Sequence, residues 1–445
     1  MHEVAYKTKE MDPKVLKSIS DLRNKFHKSV SLCSSPISSP IYFFYDYIMI
    51  FLLPSQSSPP FFYIFLLVLL TVTALSAAAT TQSKCKFEAI FNFGDSNSDT
   101  GGFWAVFPAQ HGPNGMTFFK KPTGRATDGR LILDFLANSV GLPFISPYMK
   151  AIGSDFKHGA NFATLASTVL LPNTSLFVTG ISPFSLAIQL NQMKEFKLRV
   201  DEFYSSSSSF SKGWSQLPPP DIFGKALYTF YIGQNDFTSN LKAIGIEGVN
   251  QYLPQVVSQI IDTIKEVYKL GGETFLVMNM APVGCYPALL VQLPHKSSDI
   301  DQYGCFISYN KAVTDYNAML KKELERARSV LPKASLVYFD THSILLQLFR
   351  HPNSYAGLKY STKACCGHGG GPYNFDPTIF CGNSKKMNDK ILTATACSDP
   401  YNYVSWDGIH ATEAANKLVT LAILNGSYSD PPFSFQNLCD LQPLD

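Results

Sequence analysis

Charge is scarce in this 445-residue chain: charged residues make up 16% of it, and 37 Lys+Arg against 34 Asp+Glu leave a formal net charge of +3. No dense Lys/Arg block occurs, so the electrostatic footprint of a nucleic-acid binder is missing and partners are expected to be small or neutral. No internal repeat is found. The glycine-rich run Gly367–Gly371 is not followed by the Lys-Ser/Thr of a phosphate cradle. Asp95-Ser96-Asn97-Ser98-Asp99 imitates the start of a calcium loop, but Thr100 stands where that loop needs glycine and Val106 where it needs a bidentate Glu. His368 beside Cys365, Cys366 and Cys381 has the composition of a zinc site, yet in an exported protein those thiols are expected to form disulfides. No metal, nucleotide or other cofactor is implied.

Long apolar runs are few, and one stands out. Phe61 to Ala79 is uncharged, about long enough to span a bilayer, and closes in small residues before Thr80-Thr81-Gln82-Ser83-Lys84. That taper fits a signal peptide over 49–79, with Met49 as the start of a leader of ordinary length and cleavage around Ala77 to Ala79. Residues 1–48, with mixed charge and no sustained periodicity, read as a non-native or unstructured extension. A signal anchor, flanked by Lys14, Lys17, Arg23, Lys25 and Lys28, is the rival reading. Without the leader and Cys33, eight cysteines remain, an even set that suggests disulfides in an exported chain but allows 105 pairings. The shortest closures are Cys285–Cys305 and a loop between the Cys365/Cys366 pair and Cys381 or Cys397. Asn173-Thr174-Ser175 and Asn425-Gly426-Ser427 are glycan acceptor sequons.

From residue 80 onward, strand-like runs alternate with helical patterns: Ala89–Phe93, a helix over Leu131–Val140, the strand Leu227–Ile232 and an amphipathic helix over Leu253–Leu270. Then come the strand Thr274–Met280, a long helix from Ser308 to Val330, the strand Leu336–Phe339 and a last helix from Thr412 to Leu424. This order predicts a single α/β domain over 80–445, with a parallel sheet covered by helices. Residues 201–220, with five consecutive serines and Pro218-Pro219-Pro220, read as a surface loop.

The polar clusters fall at strand ends, where open α/β sheets bind ligands. Ser96 follows the first strand in Gly94-Asp95-Ser96-Asn97, a tight polar turn that holds a hydroxyl clear of the core, as a nucleophile requires. Asp407-Gly408-Ile409-His410 places a carboxylate and an imidazole three residues apart, close enough for the carboxylate to fix the ring tautomer. Gly233-Gln234-Asn235-Asp236 delivers an amide to the same sheet edge, and Gly159-Ala160-Asn161-Phe162-Ala163 offers a close backbone approach. Backbone N–H groups with an asparagine amide suit a developing oxyanion. Taken alone, each cluster has a bland explanation: Gly-Asp-Ser as a turn, Asp407 and His410 as helix caps, Asp236 as the cap of the next turn. Nucleophile, base and orienter together favour a Ser–His–Asp hydrolase. The aromatic residues Phe103, Trp104, Phe107, Phe118 and Phe119 are candidates to line an acyl or sugar pocket, against the commoner reading as packing.

These blocks, from about Phe87 to the C-terminus, resemble the plant branch of the GDSL esterase/lipase family, within the SGNH hydrolases. The resemblance implies a three-layer α/β/α flavodoxin-like sandwich around a parallel sheet, and hydrolysis of carboxylic esters through an acyl-serine. On it, Ser96 is nucleophile and, through its N–H, an oxyanion donor; Gly159 N–H and the Asn235 side chain are further donors. His410 is the base and then the acid, Asp407 orients it, and Asn161 supports the loop. Asn97 stands where the family name has leucine, a change that does not touch the chemistry. Ala281-Pro282-Val283-Gly284-Cys285 and Cys365-Cys366-Gly367 also look like that branch. Its implied substrates are small-molecule esters: acyl lipids, acylated sugars or metabolites. An acyltransferase on the same scaffold is the alternative, and a silent glycan-binding protein a further one; the intact Ser96, Asn235, Asp407 and His410 argue against the latter.

Overall fold

The strand Ala89–Gly94 (β1) is apolar on both faces, as a strand covered by helices on either side must be, and all six of its residues are buried. A computed structural model of the chain describes residues 85–172, 182–206, 215–355 and 357–444. The segments read as extension (1–48) and leader (49–79), and the sequon at Asn173, lie outside the described residues. Among the described residues no helix is long and apolar enough to cross a membrane.

β1 pairs in parallel with Gly159–Asn161 (β2) and Ala226–Tyr231 (β3). Thr274–Met278 (β4) and Ser335–Phe339 (β5) extend the parallel ladder, and Ser429–Asp430 (β6) closes the edge antiparallel to β5. The sheet order is β6-β5-β4-β3-β1-β2. A polar thread crosses its apolar centre: Thr229 Oγ1 donates to Asn92 Oδ1 at 2.7 Å and Asn92 Nδ2 to Asn161 Oδ1 at 2.7 Å. Every polar atom in that thread has a partner, so its burial is tolerated and the register of three strands is set.

In chain order the helices are Gly102–Val106 (α1), Ile132–Ser139 (α2), Leu186–Ser206 (α3), Gln234–Thr238 (α4), Leu241–Lys269 (α5), Pro287–Gln292 (α6), Ile307–Val330 (α7), Thr341–Arg350 (α8) and Glu413–Asn425 (α9). The α5 helix packs on α3 and α7, whereas α9 packs on α2 and α8. The architecture is the predicted α/β fold with a mainly parallel central sheet, and two elements differ from expectation. The helix expected over 253–270 begins at Leu241, with one non-helical residue at Gly245 (φ 66°). The stretch 201–220, expected as loop, carries the end of α3 as far as Ser206. Buried Leu186, Leu190, Met193, Phe196 and Val200 repeat at helical spacing in α3, a signal the serine tract after it obscured.

All eight cysteines among the described residues are paired: Cys85–Cys439, Cys285–Cys305, Cys365–Cys397 and Cys366–Cys381. The local closures therefore form as expected. The last two pin a loop region containing the hairpin of Ser384–Met387 and Lys390–Thr393. They also dock it beside the loop that carries Asp407 and His410, with Cys365 N–H donating to Ser405 O at 3.1 Å and Cys366 N–H to Trp406 O at 2.6 Å.

Candidate active site

β1 ends at Gly94, where a side chain would strike Ser98 and the Tyr231 carbonyl, so the chain can turn there only with glycine. Gln189 of α3 braces this end from both sides: Gly94 N–H donates to its Oε1 at 2.9 Å and its Nε2 to Gly94 O at 2.8 Å. Ser96 emerges two residues later. Its Oγ lies 2.7 Å from His410 Nε2, across 314 residues of sequence. His410 Nδ1 in turn lies 2.6 Å from Asp407 Oδ2, and Asp407 Oδ1 accepts the N–H groups of Ile409 (3.0 Å) and His410 (2.8 Å). Gly408, at φ 95°, makes that turn possible, and a Cβ there would collide with Phe375. The helix cap is Thr412, whose hydroxyl accepts Ala415 N–H, so neither Asp407 nor His410 serves as one.

The electrostatics suit proton transfer. Burial disfavours the Asp407 charge, but His410 and the two N–H groups outweigh it and hold the carboxyl below its usual range. For His410, burial pulls downward, and the Asp407 charge and hydrogen bond, aided by Asp95, carry the net shift upward. Three further carboxyls surround the loop of Ser96. Burial pushes Asp95 and Asp99 up to about 6 and Asp236 up to about 7.

The other predicted donors separate. Asn235, in the first turn of α4, donates through Nδ2 to Ser167 O at 2.8 Å and faces Asp95 Oδ2 at 3.5 Å. Ser96 N–H has no acceptor among the described residues. Gly159 is different: it pairs with Ile90, near the start of β1 rather than the end that bears Ser96, and its N–H is spent on Phe156 O at 3.0 Å. Its φ of 101° and the overlap a Cβ would make with Ile90 O explain the glycine as a packing requirement. The expected role of Gly159 as an oxyanion donor is therefore corrected.

The same segment reaches the site seven residues on, in the turn Ala163–Thr168. There Ala166 has φ 62°, uncommon for a residue with a side chain, and its N–H has no acceptor among the described residues. Asn161 lies beneath this turn. Its Nδ2 donates to Ser98 O (2.7 Å) and Thr100 Oγ1 (2.9 Å), and its Oδ1 accepts Ala163 N–H (3.0 Å). Asp236 does not cap its own helix but accepts Val169 N–H (2.7 Å) and Leu170 N–H (3.0 Å), fastening the turn's far end.

A narrow, largely apolar cavity flanks His410 and Asn97, lined by Ile132, Leu345, Phe349 and Val404 among others. None of Phe103, Trp104, Phe107, Phe118 and Phe119 lines it. Phe119 instead lies under the Arg125 guanidinium at 4.5 Å, and Phe118 under that of Arg130 at 4.0 Å.

A buried Ser–His–Asp relay at the exit edge of a parallel sheet is the arrangement that serine hydrolases use. A family model of GDSL-like lipase/acylhydrolase proteins matches residues 90–423. A GDSL esterase/lipase of Arabidopsis thaliana is 66% identical over 357 residues, covering 80% of this chain and 92% of the relative. An esterase of Hevea brasiliensis is 41% identical over 82% of this chain and 92% of its own length. An Arabidopsis protein named alpha-L-fucosidase 3 is 42% identical over 77% and 91% respectively. The chain belongs to the plant GDSL esterase/lipase family, and it is a carboxylic ester hydrolase.

Proposed function

We propose that the chain is an exported serine esterase that acts on small-molecule esters through an acyl-serine. The observation that carries this reading is the continuous relay from Ser96 Oγ through His410 to Asp407, with contacts of 2.7 and 2.6 Å. Ser96 Oγ attacks the ester carbonyl as His410 Nε2 takes its proton. His410 then returns that proton to the departing alkoxide, leaving the acyl-serine. Water, deprotonated by the same nitrogen, attacks the acyl carbon, and Ser96 leaves with the proton. The tetrahedral oxyanion is held by the N–H groups of Ser96 and Ala166 and by Asn235 Nδ2, which can exchange its long contact to Asp95 for the shorter one to substrate. The acyl group enters the cavity beside His410.

The fucosidase name of one relative raises glycoside cleavage as an alternative. That chemistry uses two carboxyls flanking the scissile bond, one of them held protonated as the acid. Here the reacting edge presents a serine with its base, which favours acyl transfer. Export is supported by the leader-like 49–79, by four disulfides and by the exposed sequon at Asn425, which we propose as a glycosylation site. Removing Ser96 tests the reading. Ser96→Ala is expected to lower kcat on p-nitrophenyl esters by several orders of magnitude and to abolish fluorophosphonate labelling. Labelling without hydrolysis, with product formed only when an acceptor alcohol is added, would instead identify a transferase.

A further inference from the structure

Ser96 and His410 belong to loops far apart in sequence, and one stretch, Arg125 to Asp134, is bonded to both. Toward the nucleophile, Arg125 Nη1 donates to Thr100 O at 3.3 Å, while its Nε and Nη2 grip both oxygens of Asp134 at 2.7 and 2.6 Å. Toward the base, Thr127 Oγ1 donates to Ala411 O at 2.8 Å and Glu413 N–H to Asp128 Oδ1 at 2.7 Å. Arg130 completes the hold on Glu413. Its N–H donates to Glu413 Oε2 at 2.7 Å and its Nη2 and Nε to Oε1 at 2.9 and 3.3 Å, while Asn416 Nδ2 returns a bond to Arg130 O at 3.1 Å. Gly129 leaves no slack, since a Cβ there would overlap the Glu413 carboxylate.

Both ion pairs are buried, with the Arg130 and Glu413 side chains 5% and 4% exposed. The Arg130 guanidinium also lies over the rings of Phe118 at 4.0 Å and Phe135 at 4.3 Å. Burying two charges is costly, and an apolar pair of similar volume often serves stability as well or better. What apolar side chains cannot supply is direction. A forked guanidinium and a backbone N–H on one carboxylate set the position of Glu413 in several directions at once, and Glu413 is three residues past the base.

We propose that the Arg130–Glu413 pair is a positioning device: the bracket from Arg125 to Asp134 ties the loop of Ser96 to the loop of His410 and holds His410 Nε2 at its working distance from Ser96 Oγ. Neither residue touches the reacting atoms, and the proposal rests on the serine-esterase reading above. Displacements of about 1 Å in such a contact can cost on the order of 100-fold in rate.

The test is the double variant Arg130→Met with Glu413→Leu, which removes the pair without stranding a charge. The expected result is a melting temperature near that of the wild type, an unchanged KM, and a kcat lowered at least tenfold with fluorophosphonate labelling slowed in proportion. A folded double variant with kcat within twofold of wild type would overturn the proposal, because the pair would then be structural only. Should the double variant not fold, Glu413→Gln, assayed well below its own melting temperature, decides: the same fall in kcat at constant KM supports the bracket, and an unchanged kcat rejects it. Wild type and Ser96→Ala are labelled in parallel. An unlabelled wild type removes the serine reading and the bracket with it, whereas a labelled wild type beside an unaffected variant removes the bracket alone.

Discussion

His410 is subject to two opposed influences, and their balance sets the working pH. Burial favours the neutral ring and the Asp407 carboxylate favours the charged one; the carboxylate prevails and the ring titrates above its ordinary 6.5. Only the neutral ring can accept the Ser96 proton, so the acid limb of kcat/KM is expected to have its midpoint above pH 6.5. Asp407→Asn removes the raising charge, so the limb should move to lower pH while kcat falls by about two to four orders of magnitude. A limb that stays in place would show that Asp407 does not act on the ring. Asn235→Ala should lower kcat by about 10²–10³ with little change in KM, as removal of an oxyanion donor does, and steady-state kinetics on one ester suffices to check it. Ser96, Asn235, Asp407 and His410 were legible because each stands in a short motif at a strand end or turn. Ala166 was not, since the role we propose for it depends on a left-handed backbone that alanine seldom adopts and on the fold of the turn around it.

Among the elements, α8 was one of those left unassigned next to the site. It starts at Thr341 behind Asp340, whose side chain accepts Ser343 N–H at 3.0 Å, and it turns Leu345 and Phe349 into the cavity beside His410. With the acyl group in that cavity, as we propose, those two residues rather than the aromatic cluster after Ser96 are expected to set acyl length. Leu345→Ala should raise the ratio of kcat/KM for longer over shorter p-nitrophenyl esters by about tenfold, in the range that a few methylenes are worth in an apolar pocket. It should also destabilise the fold by about 2–5 kcal/mol. Trp104→Ala should leave the ratio as it is; the opposite pattern would place the acyl group on the far side of Ser96. The strands were readable from their apolar runs because every residue of β1, β3 and β4 is buried. The three-residue β2 was not, as so short a strand has no period of its own.

For the whole molecule, the buried carboxyls make stability and activity respond to pH in opposite ways. Asp95, Asp99 and Asp236 have folded-state values raised from 3.8 to about 6, 6 and 7, so the folded protein holds protons that the unfolded chain releases. Their contribution is fullest below 3.8 and is lost as pH rises through 6 to 7; His410, also raised, loses its contribution as pH climbs past its folded value. Asp407, lowered, gives stability that is present above 3.8 and lost only at more acidic pH. The melting temperature is therefore expected to be higher near pH 5 than near pH 7.5, where kcat is larger; calorimetry at the two values checks it, and a maximum at pH 7.5 would contradict these shifts. The first and last stretches of the described residues are joined by Cys85–Cys439, 354 residues apart, the pairing that local spacing could not suggest. By itself the sequence determined the α/β class and singled out Ser96, His410 and Asp407 as candidates for one relay, because hydrophobic period and short-range motif are properties of neighbouring residues. Only the tertiary structure decided that Gly159 is a packing glycine, that Phe118 and Phe119 serve buried arginines rather than substrate, and that one stretch spans both halves of the relay. Those facts depend on which backbone passes close to which, and contacts between residues hundreds of positions apart are made by folding and leave no pattern along the chain.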